Sequence, residues 1–308
     1  MAVDAPGRSR RADCRLQAAA IPAGRGGIRP LGRRADRLKQ MKPAAIITLA
    51  ALSVLAAAPS QGATLCTIVA DAVSGAALHQ SGNGCDLRVP PASTFKLALS
   101  LIGFDSGLLQ DAHSPALPFK PGYPDYLPSW RATTDPTAWM KNSVVWYSQQ
   151  ITAQLGEESF RRYITAFAYG NQDLSGTPGK HDGLSRAWLS SSLEISAHEQ
   201  IAFLRKITRR HLPVAAHAYR MTELITRLDD APAGWDLHGK TGTGAPATAE
   251  GGRDWDRAYG WFVGWATRDN RTVIFARLIQ DDGRQEISAG LRARTAMVRD
   301  LPALIDAR

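Results

Sequence analysis

Segments with the character of β-strands stand at both ends of the chain after residue 63, and a region with helical patterns separates them. Residues 64–72 alternate and are rich in Val, Ile and Thr, and residues 76–79 offer a pairing partner across the turn at Gly75. Three more segments of this kind lie at 235–240, 258–266 and 272–279. This order predicts an α/β fold of the layered α+β kind. It would be an antiparallel sheet flanked by helices, with an inserted all-helical subdomain.

Helical signals fill the middle of the chain. After Ser93, apolar residues keep a helical period up to Gly107, which predicts a buried central helix. Asp135-Pro136 is typical of an N-cap followed by proline in the first turn. Ser196 and Glu199 form a capping-box pattern that opens a helix expected to reach about His211. Further helices are predicted at 144–155, 157–167, 215–228 and 289–304.

The first forty residues differ in composition from the rest. They hold ten basic and three acidic residues, so most of the formal net charge of +9 is local to them. They are rich in Arg, Gly and Pro and lack apolar periodicity, which predicts disorder. We expect Met41 to be the true initiator and residues 1–40 to be a disordered or non-native extension. Since the remainder is nearly neutral, nucleic-acid binding is not expected.

Residues 41–63 have the pattern of a secretory signal peptide. Lys42 precedes an uncharged stretch of fifteen residues, and small or polar residues follow up to Ala63. This stretch is shorter than the roughly 20 residues that span a bilayer. We therefore expect export to the periplasm, with cleavage near Ala63 and no membrane attachment afterwards.

Cysteine usage fits an exported protein. Cys14 lies in the doubtful extension, which leaves Cys66 and Cys85 as an even pair in an oxidising compartment. A disulfide between these two is one interpretation, and two inert buried thiols are the other.

Three short motifs follow one another in the order typical of serine acyl enzymes. In Ser93-Thr94-Phe95-Lys96, the hydroxyl and the amine are one helical turn apart, so a nucleophile lies beside a base. Ser143-Val144-Val145 and Lys240-Thr241-Gly242 follow downstream. A lone Ser-x-x-Lys is most often a small residue and a solvated lysine. The joint order of Ser-x-x-Lys and Lys-Thr-Gly instead indicates the chemistry of penicillin-binding proteins and related β-lactamases.

With these motifs, residues 64–305 resemble the class D, or oxacillinase-type, serine β-lactamases. The resemblance also includes Tyr169-Gly170-Asn171, Trp188 and the run Trp261-Phe262-Val263-Gly264-Trp265. Class A enzymes would show Ser-Asp-Asn in the middle and a glutamate on the loop, and neither is evident. The resemblance implies that residues 64–308 form one catalytic domain.

The resemblance implies a covalent mechanism. Ser93 is the residue acylated by the β-lactam carbonyl, and the backbone N–H groups of Ser93 and Thr243 form the oxyanion hole. Lys96 reacts with carbon dioxide to give an N6-carboxylysine, which serves as the general base. Trp188 holds this carbamate through its indole N–H. The alternative interpretations are an ordinary edge-strand residue for Thr243 and a core aromatic for Trp188.

Other positions shape the substrate site under the same resemblance. The apolar neighbours of the lysine are Phe95, Val145 and Leu189. Val145 and Leu189 also line the substrate site. Ser143 relays a proton to the leaving nitrogen, and Lys240 tunes that hydroxyl and attracts the substrate carboxylate. The strand residues Thr241, Gly242 and Thr243 bind substrate, and Tyr169, Gly170 and Asn171 shape the cleft floor. Arg292 is the predicted partner of the carboxylate, with Arg294 as its competitor; either arginine is otherwise a solvated charge of the last helix.

No cofactor other than the captured carbon dioxide is expected. The seven histidines show no His-Glu-x-x-His or close His-x-His grouping, which disfavours a zinc enzyme. Two alternatives to a β-lactamase remain open. A penicillin-binding DD-peptidase or transpeptidase would form the same acyl-enzyme, and a non-catalytic sensor domain would be acylated once. Substrate range, which depends on the loops at 109–130 and 243–256, and oligomeric state are left open.

Overall fold

The computed structural model describes residues 62–306. The predicted extension and all but the last two residues of the predicted signal peptide lie outside this range. Within it, six strands form one sheet in the order β2-β1-β6-β5-β4-β3, and every neighbouring pair is antiparallel. The strands are β1 (Ala63–Asp71), β2 (Ala77–Ser81), β3 (Arg227–Leu228), β4 (Asp236–Gly244), β5 (Tyr259–Arg268) and β6 (Arg271–Gln280).

The helices of the described residues lie mainly between β2 and β3. They are α1 (Lys96–Asp105), α2 (Pro136–Asn142), α3 (Val145–Leu155), α4 (Glu157–Phe167), α5 (Gly183–Arg186), α6 (Ala197–Thr208), α7 (Ala216–Thr226) and α8 (Ala289–Asp306). The predicted antiparallel sheet with an inserted helical region is therefore confirmed. No helix in the part of the chain that the structure describes is long and apolar enough to cross a bilayer.

Local capping explains where several helices begin and end. The Asp135 carboxylate accepts a hydrogen bond of 2.7 Å from the Ala138 N–H at the start of α2. The predicted capping box of Ser196 and Glu199 is present at the start of α6. This helix ends at Thr208, short of the predicted His211, because Arg210 takes a left-handed conformation with φ 55°.

Two predictions of the secondary structure were incomplete. The predicted helix at 215–228 ends at Thr226, and its last two residues form the edge strand β3 instead. A two-residue strand carries no periodic signal, so nothing in the sequence distinguishes it. The short helix α5 was not among the predicted helices for a similar reason, since it spans four residues.

The sheet separates two apolar layers. One face packs against α8 through residues that recur every four positions, Ala289, Ala293, Met297, Leu301 and Ile305. The other face packs against the inserted helices. Helix α1 is central to this second layer, because Lys96 to Phe104 are all buried, as predicted. Cys66 of β1 is joined to Cys85 beyond β2 by a disulfide.

Candidate active site

The Ser93 hydroxyl lies in a 3₁₀ turn, Ala92–Phe95, that leads directly into α1. The Nζ of Lys96 is 3.5 Å from the Oγ of Ser93, so the expected nucleophile and base are neighbours. Ala92, directly before the serine, has φ 49°, a conformation that a residue with a side chain seldom takes. Its N–H donates a hydrogen bond of 3.0 Å to the Trp188 carbonyl, which helps to hold this backbone in place.

Lys96 is buried in apolar surroundings and is 1% exposed. Burial lowers the pKa of its amine well below the ordinary value, and the charge of Lys240 lowers it further. Val145 is also buried, whereas Leu189 is half-buried. Burial thus shifts the equilibrium of this amine towards its uncharged form.

Trp188 closes the site from the loop after α5. Its ring stacks on Phe95 with 5.3 Å between centroids and an angle of 25° between the planes. Its Nε1 atom is buried and has no hydrogen-bond partner among residues 62–306. Because buried N–H groups are rarely left unpaired in proteins, this donor points to a group that completes the site.

Lys240 lies in the middle of β4, opposite Val263 of β5. Its Nζ donates hydrogen bonds to the carbonyl and to the Oγ1 of Thr241, at 3.2 and 3.3 Å. Burial lowers the pKa of Lys240 to about 7, and the charge of Arg294 contributes to this shift. Two buried amines with lowered pKa values thus stand close enough for the charge of one to act on the other.

The end of β4 packs against the beginning of α8. The Gly290 N–H donates a hydrogen bond of 3.0 Å to the Oγ1 of Thr243. A Cβ atom on Gly290 would lie 2.6 Å from the Gly242 carbonyl oxygen, so this approach requires glycine. The segment expected to form the oxyanion hole is therefore held by two elements.

The two candidate arginines have different surroundings. Arg292 donates from Nη2 to the buried Asp281 and from Nε to the Ile287 carbonyl, the latter at 3.0 Å. Arg294 pairs with Asp230, and its charge acts on Lys240. The structure thus ties Arg292 to the β6–α8 connection and puts the charge of Arg294 near the lysine.

Ser143 ends α2 in a left-handed conformation with φ 58°, and its N–H donates to the Trp139 carbonyl. The Trp130 indole N–H donates a hydrogen bond of 2.8 Å to the carbonyl of Asn142 and so supports this turn. Among the described residues, the Ser143 hydroxyl makes no hydrogen bond to Lys96 or Lys240. The structure therefore brings Lys96 within hydrogen-bonding distance of Ser93, whereas the described residues show no hydrogen bond between Ser143 and either lysine.

The loop that carries Trp188 is held by residues of the predicted floor. Asn171 donates from Nδ2 to the Ser192 carbonyl at 2.8 Å and accepts from the Glu194 N–H at 3.0 Å. Gly170 has φ 53°, and a Cβ there would lie 2.0 Å from the Glu194 carbonyl oxygen. Tyr169 is fully buried, with its ring 5.3 Å from that of Phe95. These contacts brace the loop that carries Trp188.

Comparison with known proteins identifies the family. Residues 55–303 match the model of the penicillin binding protein transpeptidase domain. The chain is 43% identical over 265 residues to β-lactamase OXA-9 of Klebsiella pneumoniae, covering 84% of this chain and 95% of that protein. It is 33% identical to β-lactamase OXA-1 of Escherichia coli over 82% of this chain and 89% of that one.

The chain belongs to the class D β-lactamases. The crystal structure of the class D β-lactamase OXA-427 superposes with a TM-score of 0.74 at 48% identity, covering 79% of this chain and 98% of that one. The fold is thus the penicillin-binding-protein-like fold, and this class D β-lactamase is an enzyme of the hydrolase class. The C-terminal domain of the Bacillus licheniformis BlaR penicillin receptor shares the fold with a TM-score of 0.66 at 26% identity.

Local sequence patterns did not predict two structural features of this class D β-lactamase. Alanine does not prefer positive φ, so nothing in the sequence indicates the conformation of Ala92. Ser190 lies 3.4 Å from the Tyr259 hydroxyl and also accepts from the Ala245 N–H, which connects the Trp188 loop to the end of β4. No local pattern joins residues this far apart in the chain.

Proposed function

We propose that the protein hydrolyses β-lactam antibiotics through an acyl-enzyme on Ser93. The observation that carries the proposal is the buried Lys96 amine, with its lowered pKa, at 3.5 Å from the Ser93 Oγ. The base at Lys96 accepts the hydroxyl proton as Oγ attacks the lactam carbonyl carbon. The carbon–nitrogen bond then breaks, the ring nitrogen is protonated, and water later cleaves the ester.

The negative charge of the tetrahedral intermediate needs two donors, and we assign them to the N–H groups of Ser93 and Thr243. The close approach of β4 to the Ser93 turn supports this assignment. A Cβ on Gly242 would lie 2.7 Å from the Pro91 carbonyl oxygen and 3.2 Å from the Thr94 nitrogen. Backbone donors held in place beforehand stabilise the developing oxyanion.

A carboxylated Lys96 fits the surroundings that the chain provides. The amine and carbon dioxide give a carbamate and a proton, and this reaction requires the uncharged amine that burial favours. The unpartnered Trp188 Nε1 is a donor suited to hold the carbamate. Once formed, this group supplies a base for both acylation and deacylation.

The remaining assignments concern the substrate. We assign proton delivery to the leaving nitrogen to Ser143, with Lys240 tuning this hydroxyl. Lys240 and Arg292 would bind the substrate carboxylate, along a strand edge formed by Thr241, Gly242 and Thr243. Val145 and Leu189 would bound the apolar side of the site. Within the described residues, the bonds of Arg292 leave its Nη1 for this contact.

Two alternatives use the same acyl-enzyme. A DD-peptidase or transpeptidase, which the family model includes by name, would release a β-lactam acyl group slowly. A sensor domain would keep the β-lactam acyl group for as long as it signals. The 43% identity to OXA-9, against 26% to the receptor domain, and the unpartnered Trp188 donor favour hydrolysis.

Counting product per enzyme distinguishes these functions. Purified protein is mixed with a chromogenic cephalosporin, and many molecules of product per enzyme are expected. Release of one equivalent without turnover would contradict hydrolysis and leave the sensor or the peptidase. Ser93→Ala is expected to abolish turnover, and a variant that still turns over would refute the nucleophile.

Carbon NMR tests the carbamate separately. Protein equilibrated with ¹³C-bicarbonate is expected to show a bound carbamate resonance that Lys96→Ala lacks. Full activity without any such resonance would refute this part of the proposal and leave the amine itself as the base.

We also propose that the mature enzyme begins near residue 64 and acts in the periplasm. The Cys66–Cys85 disulfide supports an oxidising compartment. N-terminal sequencing of the exported product tests this directly. A product that retains residues 1–40 would contradict the assignment of Met41 as the initiator.

A further inference from the structure

Four polar side chains lie inside the apolar layer between α1 and β4. Ser100 of α1, Thr222 and Thr226 of α7, and His238 of β4 are all buried. Each hydroxyl or imidazole in such a place is costly unless it is hydrogen-bonded. Helix α7 packs against both α1 and β4, and its buried face carries both threonines one turn apart.

Hydrogen bonds of these side chains connect α7 to both α1 and β4. Ser100 Oγ donates to the Leu97 carbonyl at 2.9 Å and lies 3.0 Å from Thr222 Oγ1. Since the Ser100 hydrogen is used within its own helix, Thr222 is the donor between the helices. The Thr226 Oγ1 donates to the Thr222 carbonyl at 2.7 Å, and the His238 Nδ1 donates to the Glu223 carbonyl of α7 at 3.0 Å and lies 3.4 Å from Thr226 Oγ1.

The two outer side chains of this set, Ser100 and His238, lie next to candidate catalytic groups. Ser100 is four residues after Lys96, and therefore on the same face of α1. His238 is two residues before Lys240, and therefore on the same face of β4. The His238 ring is fixed in turn, since it stacks on Trp265 with 5.0 Å between centroids and 6° between the planes.

Apolar contacts alone allow small sliding and rotation of packed elements, whereas hydrogen bonds are directional. We propose that the hydrogen bond from Thr222 to Ser100, together with the hydrogen bond from His238 to the Glu223 carbonyl of α7, sets the register of α1 against β4, and that Thr222 is a positioning residue for acylation of Ser93. This inference rests on the proposed function, because it concerns the speed of that reaction.

A variant of Thr222 tests the inference without leaving an unpaired group. Thr222→Val keeps the shape, and Ser100 retains its bond to Leu97. The rate of acylation by a fluorescent penicillin is measured by stopped flow. We expect it to fall about tenfold, since small misplacements of reacting groups cost one to two orders of magnitude. Thr222→Ser is expected to restore most of the rate.

A matched control separates positioning from stability. Thr208 of α6 has the same type of bond, from its Oγ1 to the Leu204 carbonyl at 3.1 Å, but no cross-helix hydroxyl partner among the described residues. Thr208→Val is expected to acylate at the wild-type rate. Equal slowing in Thr208→Val and Thr222→Val, or an unchanged rate in Thr222→Val, would overturn the inference.

A double-mutant cycle tests the pair itself. If Ser100 and Thr222 act as one unit, Ser100→Ala combined with Thr222→Val slows acylation no more than the more severe single variant does. Fully multiplicative effects would refute the coupling. Failure of the proposed function is recognised separately. A wild-type protein that is acylated without turnover is not a hydrolase. Its acylation rate can still be compared with that of the Thr222 variants.

Discussion

Gly242 of β4 lies directly against the carbonyl of Pro91, so closely that a Cβ would be 2.7 Å from the carbonyl oxygen. This approach brings the strand with Lys240 next to the turn with Ser93. The two segments are about 150 residues apart in the sequence. The glycine of Lys-Thr-Gly is thus required for the contact between these segments rather than for a turn.

Gly242→Ala is expected to push the strand away from the Ser93 turn. We predict a loss of kcat/KM of about 100-fold, because an ångström of displacement has this effect on reacting groups. The free energy of unfolding should fall by ~1–3 kcal/mol from overpacking. Gly283→Ala is the control, since a Cβ there meets nothing within 4 Å. Equal kcat/KM for the two variants would contradict the prediction.

Trp188→Phe removes the unpartnered indole N–H while keeping a ring to stack on Phe95. A lost hydrogen bond to a charged group costs about 1.5–3 kcal/mol, so we predict that deacylation slows about tenfold or more. Acylation should slow less, and added bicarbonate should restore part of the rate. Burst kinetics measure the two steps separately.

Trp235→Phe is the matched control for this change. Trp235 packs in the layer on the α8 side of the sheet, with the Arg268 guanidinium 4.6 Å from its ring centroid. The Trp235→Phe variant should leave the rates of acylation and deacylation unchanged. Equal slowing of acylation and deacylation in Trp188→Phe would argue against a role in holding the carbamate.

The pKa of Lys240 makes a prediction about stability and pH. Burial, with a contribution from Arg294, lowers this pKa to about 7 from the ordinary value of 10.5. Between these values the unfolded chain binds more protons than the folded one, so the contribution of Lys240 to stability becomes less favourable as the pH falls from 10 to 7. Lys240→Met should therefore be more stable than wild type at pH 7, on the order of 3 kcal/mol, although inactive.

Chemical denaturation at pH 7 and pH 9.5 checks this expectation. The advantage of Lys240→Met should shrink at the higher pH, because the unfolded wild-type chain binds more protons than the folded one throughout this range, so wild-type stability rises with pH. A variant that is less stable at pH 7, or a stability difference that does not change with pH, would show that burial does not disfavour the charged form of Lys240.

Single variants distinguish the two arginines. Arg292→Ala is expected to raise KM about tenfold for substrates with a carboxylate, through the loss of a charge-assisted hydrogen bond, without moving the pH profile. Arg294→Ala is expected to raise the pKa of Lys240, because it removes a neighbouring positive charge. Steady-state kinetics between pH 6 and 9 measure both effects. A larger rise in KM for Arg294→Ala would assign the carboxylate to Arg294.

Local patterns predicted much of the fold, and the reason is visible at particular residues. Asp135 and the pair Ser196 and Glu199 cap helices within their own turns, so four residues of sequence contain the whole interaction. The long strands β5 and β6 have continuous buried segments bounded by turns. By contrast, the two-residue β3 depends on its pairing with β4, which no local pattern reports.

The sequence by itself determined the order of the elements, the candidate nucleophile and base, and the family, because each depends on residues within a few positions or on motifs in a set order. Tertiary structure alone decided how deeply Lys96 and Lys240 are buried, that the Trp188 donor lacks a partner, and that Thr222 meets Ser100. These properties arise from segments more than 90 residues apart in the sequence. Burial and hydrogen-bond pairing depend on distances in space, which short-range sequence patterns do not contain.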